Sequence, residues 1–338
     1  MNVFLNDYND LCHEKVLERI AKVHPKGNIG YGFDTYSERA KNLIKKDLKR
    51  TDVQIEFLSG GTIANIVAIT ANLFAYEGII SASTGHINSH EAGSIEATGK
   101  KIESIATEDG KLNSELIKRK YSQLSEEFTV FPKLVYISQT TELGSVYTLE
   151  EIKDIYKTCK EIGCYLYIDG ARMAVGLAAS DVKIENLCEI CDIFTLGATK
   201  NGALYGEALI LVNENLKKNI RRYMKQRGAV LAKGFILGAQ FEALFEEGLY
   251  YELGKISYEK SLYLARSLEN IGVEFYKKPE SNQIFILYPT EKIKKLAEEN
   301  SFEVSEYDED KKILRFVTNY RTTDEEIDDL IKSFKKIN

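Results

Sequence analysis

The chain has 338 residues, 44% of them hydrophobic and 28% charged, with a formal net charge of −6. That composition excludes a disordered or collagen-like chain, and the length suits roughly two domains of ~150 residues around a large core. The acidic balance argues against nucleic acid as a partner, and no apolar run approaches the ~18 residues of a membrane-spanning helix. The first residues have neither the basic nor the apolar stretch of a leader, so a cytoplasmic protein with no membrane partner is expected.

In chain order the first ~250 residues alternate strand and helix signals. Strands are predicted over 53–58, 79–80, 133–138, 164–169, 193–196 and 207–212. Helices are predicted over 63–73, 86–97, 148–162 and 184–190, the third opened by a capping box (Thr148 with Glu151) and stopped by Gly163. Short apolar runs joined by ~10–15-residue helices mean crossover units and a mostly parallel sheet, helices on both faces. Beyond residue 200 the pattern changes. Long helices are predicted over 215–226, 231–245 and 251–271, strands over 283–287 and 313–317, and an amphipathic helix after Thr323. The expected organisation is a large α/β domain over 1–250, with an N-terminal arm, and a small α+β domain over 251–338.

Five cysteines, an odd number in a large chain, fit a reducing compartment. Cys188 and Cys191 have C-x-x-C spacing, but they close a short helix rather than open one, where the dipole would favour a thiolate. They read as core thiols with Cys159 and Cys164, and no metal is expected.

In parallel sheets ligands bind beyond the carboxyl ends of the strands. Ser59-Gly60-Gly61-Thr62, between a strand and a helix, is either a tight turn or a phosphate cradle in which backbone N–H groups meet an anion. Asp169 ends a strand, as an N-cap, a metal ligand or the partner of a protonated ring nitrogen. Lys200, among small residues after the next strand, is either a surface lysine or a desolvated amine ready for Schiff-base chemistry. His86 and His90 are four apart, yet H-E-x-x-H is absent and no third ligand stands out. A ring stacked on an aromatic cofactor suits His86 better than a metal. Together, a phosphate turn, an aromatic cover, an acid and a lysine at successive strand ends fit pyridoxal 5′-phosphate.

The segments Gly60-Gly61-Thr62-x-x-Asn65, Gly85-His86-Ile87-x-x-His90-Glu91, Ser138-Gln139-x-Thr141-Glu142-x-Gly144, Ile168-Asp169-Gly170-Ala171-Arg172 and Gly197-Ala198-Thr199-Lys200-Asn201-Gly202 occur in this order. In them the chain closely resembles the threonine aldolase and β-eliminating lyase family of fold-type I pyridoxal-phosphate enzymes. The resemblance implies that Lys200 carries the cofactor, Asp169 pairs with its ring nitrogen, His86 stacks on the ring, and Gly60, Gly61 and Thr62 bind its phosphate. It implies Arg172 beside cofactor and substrate, Arg315 as the carboxylate-binding arginine, and Lys233 reaching a neighbour's phosphate in a homodimer or homotetramer with sites at the interface. The chain departs from the family pattern twice. Asn6 stands where many members have a substrate-contacting serine, and Thr141 where many have a histidine, so His90 is a candidate substitute at the substrate. The implied reaction is retro-aldol cleavage of a β-hydroxy amino acid of the L-threonine or L-allo-threonine type to glycine and an aldehyde. The alternatives are β-elimination from a β-substituted amino acid, and a non-catalytic pyridoxal-phosphate or phosphate binder.

Overall fold

The structure is a computed structural model that describes residues 1–124 and 126–337. Its strands are β1 (Asn2–Val3), β2 (Gln54–Leu58), β3 (Glu77–Ala82), β4 (Ile102–Ile105), β5 (Phe131–Ser138), β6 (Tyr165–Asp169), β7 (Ile193–Gly197), β8 (Glu207–Leu211), β9 (Gln283–Pro289), β10 (Asn300–Ser301), β11 (Glu303–Glu306) and β12 (Lys311–Val317). Seven of them form one sheet in the order β2-β8-β7-β6-β5-β3-β4. The run from β4 to β7 is parallel, and β8 is antiparallel to both of its neighbours.

The central strands are mostly apolar and almost wholly buried because both faces are covered. Side chains alternate between faces, so Val135, Ile137, Leu166, Ile168 and Phe194 enter one core while Leu134, Tyr136, Tyr167 and Ile193 enter the other. A three-stranded antiparallel sheet, β11-β12-β9, lies beyond, and its core joins Ile284, Ile286, Leu314 and Phe316 to Phe334 of the C-terminal helix. The N-terminal arm belongs to this second core. Phe4 is buried in it, and the Phe4 carbonyl accepts the Val317 N–H at 2.8 Å.

Helix Leu249–Asn270 serves both parts, with Leu249, Tyr250 and Leu253 in the large core and Leu264 and Leu268 in the small one. Its Gly254 lies so close to helix Met173–Ala179 that a Cβ there would sit 2.5 Å from the Ala174 carbonyl oxygen, and only glycine permits that approach.

The expected strands all form, and the capping box at Thr148 closes in both directions. Three helices are shorter than the sequence suggests, and the one expected over 231–245 starts only at Phe235. The stretch 86–97 is one turn (His86–Ser89) and a later 3-10 turn (Glu96–Thr98), because Ala92 and Gly93 take left-handed backbone between them. The stretch 215–226 is helical only over Ile220–Gln226, after a left-handed Asn219. Helices Glu14–Ala21, Thr35–Asp47, Ser114–Gln123, Met173–Ala179 and Thr290–Leu296, and strands β1, β4, β10 and β11, lie outside the predicted elements. Among the described residues no helix is long and apolar enough to cross a membrane.

Candidate active site

The carboxyl ends of the strands open into two adjoining cavities. The inner one, about 380 Å³, is lined by Gly60, Gly61 and Thr62 after β2, Asp169 at the end of β6, and Thr199 and Lys200 after β7. The outer one, about 620 Å³, extends to the small sheet and is walled there by Gln283, Glu303 and Arg315. Six side chains line both: Tyr8, His86, His90, Glu142, Arg172 and Lys200.

At the inner cavity Gly60 caps helix Gly61–Thr70 without a side-chain hydrogen bond, and a Cβ built on Gly60 or Gly61 would meet nothing within 4 Å. The first N–H groups of that helix have no intrahelical acceptor, and the glycines beside them border the inner cavity. Asp169 is buried and held from three sides. Its Oδ2 accepts from the Tyr136 hydroxyl at 2.6 Å and Asn65 Nδ2 at 3.1 Å, and its Oδ1 from the Ala171 N–H at 2.9 Å. Asn65 also donates to Glu91 at 2.8 Å, and Glu91 in turn meets His86 Nδ1 at 2.8 Å. One continuous network thus links the two sequence-predicted residues Asp169 and His86. The Glu91 contact raises the His86 pKa against the opposing effect of burial, and Asp169 adds to the rise. The His90 ring stacks on His86 at 5.7 Å, and its own pKa is lowered by burial and then by His86.

Burial, reinforced by the Arg172 charge, pushes the Lys200 pKa down, while Asp7, Asp169 and Glu207 hold it up. Arg172 is locked to Asp7 by two hydrogen bonds, Nε to Oδ2 at 2.6 Å and Nη2 to Oδ1 at 3.0 Å. Burial pushes the Glu207 carboxyl up, with Asp169 beside it. Its Oε2, like Thr140 Oγ1, is buried with no hydrogen-bond partner among the described residues. Across the outer cavity, Arg315 projects from β12 while Leu314 and Phe316 enter the core behind it. Its guanidinium pairs with Glu303 and donates to Gln283 Oε1 at 3.3 Å. Asn6 lies in the outer wall, its Oδ1 accepting the Tyr8 N–H at 3.0 Å.

The fold therefore gathers ten of the eleven sequence candidates: Gly60, Gly61, Thr62, His86, Asp169 and Lys200, with Arg172, Arg315, Asn6 and His90. Lys233 is exposed and lines neither cavity. Sequence reasoning assigned no role to Glu142, Glu207, Asp7 or Glu303, although Glu142 and Glu207 interrupt otherwise apolar or small-residue segments. The five cysteines are free and buried, and burial pushes the Cys188 thiol up to about 11.

Residues 14–291 match the family model of the beta-eliminating lyases. The chain belongs to that family. It is 30% identical over 289 residues to the low specificity L-threonine aldolase of Pseudomonas sp. strain NCIMB 10558, a match covering 83% of this chain and 82% of that protein. A solved structure of Leishmania major threonine aldolase superposes with a TM-score of 0.97 at 38% identity, covering 99% of each chain. A Thermus thermophilus aspartate aminotransferase, at 15% identity and a TM-score of 0.74 over 100% of this chain and 92% of its own, shares the fold. The architecture is that of the fold-type I pyridoxal-phosphate enzymes.

The residues present fit that cofactor. The open cradle before helix Gly61–Thr70 suits a phosphate, the triply held Asp169 suits a ring nitrogen, and the desolvated Lys200 suits a carbonyl carbon. The orphaned Glu207 and Thr140 oxygens in the same wall are what a polar occupant would meet.

The His86–Glu91 pair sets a pH dependence in the cofactor-free protein. His86 has its pKa raised by folding, so the pair contributes fully below the ordinary histidine value of about 6.5, and that stability is lost as pH rises through the raised value. In an NMR titration His86 should titrate above His90, and Glu91→Gln should bring His86 down. An unchanged His86 midpoint in that variant would show that Glu91 does not set it.

Proposed function

We propose that this chain is a pyridoxal-phosphate-dependent aldehyde-lyase that cleaves a β-hydroxy amino acid of the threonine type to glycine and an aldehyde. The observation that carries this reading is the pairing of Lys200 with Arg315 across two joined cavities. A mere cofactor binder needs no second cavity ending in a desolvated guanidinium.

When bound, the cofactor takes up the electron pair released at the substrate's Cα. Lys200 would hold the cofactor until the substrate amine replaces it. Gly60, Gly61 and Thr62 would take its phosphate, Asp169 would keep its ring nitrogen protonated, and His86 would cover the ring. Arg315 exchanges Glu303 for the substrate carboxylate, helped by the positive field of Arg172, and this fixes the orientation of the Cα–Cβ bond. Asn6 and His90 border the space left for the substrate side chain.

The active unit in this reading is a homo-oligomer. Ile29 and Phe33 are 63% and 60% exposed, and Tyr31 donates its N–H to the Ala232 carbonyl at 3.2 Å, beside Lys233. These apolar side chains and Lys233 support a second copy packed on this face, with Lys233 serving the neighbour's site. Sedimentation should give a dimer or tetramer, and a fully active monomer would remove that role from Lys233.

Product analysis with threonine, allo-threonine and β-substituted amino acids tests the reaction. Glycine and acetaldehyde are expected from the β-hydroxy substrates, whereas a 2-oxo acid and ammonia would make the enzyme a β-eliminating one. Arg315→Ala should lower kcat/KM by about 30- to several-thousand-fold, the ~2–5 kcal/mol of a buried pair losing one partner, while cofactor binding persists. A loss under about threefold would mean that Arg315 is not the clamp.

A further inference from the structure

Aldol cleavage cannot proceed until the substrate's β-hydroxyl loses its proton, so a proton acceptor must face the space where inner and outer cavities meet. Six side chains do. Arg172 has no acceptor atom, and Lys200, once replaced by the substrate amine, is taken up with the proton at Cα. Tyr8 is a phenol more than half exposed to solvent, and among the described residues no element holds its hydroxyl at the seam. His86 has its Nδ1 bound to Glu91, and that contact favours the protonated ring. His90 is exposed, at the end of a one-turn helix, with Nδ1 tied to Ser89 Oγ at 2.7 Å.

Glu142 is different. Its Oε1 accepts from the His86 N–H at 2.9 Å and from the Ser138 hydroxyl at 2.7 Å, which fixes the carboxyl group on the seam of the cavities. Among the described residues no cation pairs with the side chain, and the remaining donor to the carboxyl is its own backbone N–H. The group is therefore held in place where the two cavities meet, without a counter-ion. We propose that the Glu142 carboxylate is the base that accepts the β-hydroxyl proton, a role that rests on the aldol reading above.

Burial makes this carboxyl more basic than an ordinary glutamate, against the Ser138 bond, and the Asp169 charge adds to the effect. The step balances as follows. The proton passes from the β-oxygen to Oε2, and the O–H pair becomes the second bond of the new carbonyl. The Cα–Cβ bond breaks with its pair left at Cα. A proton delivered to Cα completes glycine, and Glu142 returns its own proton to solvent or product. Aldehyde and glycine together have the composition of the substrate.

The test uses the holoenzyme and two reactions. Glu142→Gln keeps an amide oxygen for the His86 and Ser138 donors but removes the base. Cleavage of threonine or allo-threonine should fall by about 10²–10⁴-fold in kcat. Exchange of the glycine α-hydrogen in D₂O, followed by NMR, needs cofactor, Lys200 and the carboxylate clamp but no β-hydroxyl base. It should stay within about threefold of wild type. Cleavage that survives in Glu142→Gln overturns the proposal. So does a parallel fall of both reactions, which would make Glu142 a support for the site, and so does a larger cleavage loss in His90→Asn. A wild-type enzyme that exchanges glycine but cleaves no β-hydroxy amino acid would instead overturn the aldol reading itself.

Discussion

The buried ion pair between Asp7 and Arg172 is the contact on which the site depends. Asp7 comes from the N-terminal arm and Arg172 from the turn after β6, 165 residues away. Asn282, just before β9, donates to the same Asp7 oxygen at 3.0 Å and also to the Thr318 carbonyl. Three parts of the chain thus meet at one carboxylate: the arm, the large sheet and the small sheet. Burial works against the Asp7 charge, but Arg172 and Lys200 outweigh it, and the carboxyl is held below its ordinary value. A buried pair of this kind adds little net stability over an apolar one, yet breaking it leaves an uncompensated charge. Its effect is to specify one geometry, in which Arg315 and Lys200 face the same space.

The electrostatics follow from that geometry. Lys200 lies among Asp7, Asp169 and Glu207, with the Arg172 charge opposing them. Two neighbouring groups are pushed toward neutrality, the amine downward and the Glu207 carboxyl upward, chiefly because both are dry. An amine that sheds its proton readily is a nucleophile, and that is what a carbonyl cofactor requires. Asp169 differs in being held by donors: Tyr136, Asn65 and Ala171 fix its carboxyl in place.

Much of this was legible in the sequence because parallel strands buried on both faces are continuous apolar runs. A polar residue ending such a run, as Asp169 does, or lying just beyond it, as Lys200 does, stands out against its neighbours. Helices Glu14–Ala21 and Thr35–Asp47 were missed because each buries only a thin stripe, Val16 in one and Ser37, Ala40 and Ile44 in the other. Strand β11, Glu303-Val304-Ser305-Glu306, is a charged edge with no apolar face to read. Glu142 and Glu207 stand in plain view in the sequence, but the contact of Glu142 with His86 and the closeness of Glu207 to Asp169 come from elements distant in the chain. Arg315 could be read because alternation along β12 sets it opposite two core residues.

The proposed reaction depends on Lys200 being the residue that bonds the cofactor. Borohydride reduction of the purified holoenzyme, followed by proteolysis and mass spectrometry, addresses this directly. The reduced pyridoxyl phosphate adduct is expected on the peptide containing Gly197 to Asn201, fixed to Lys200, and is expected to be absent in Lys200→Ala. An adduct on another lysine, or a reducible covalent link that persists in Lys200→Ala, would contradict it.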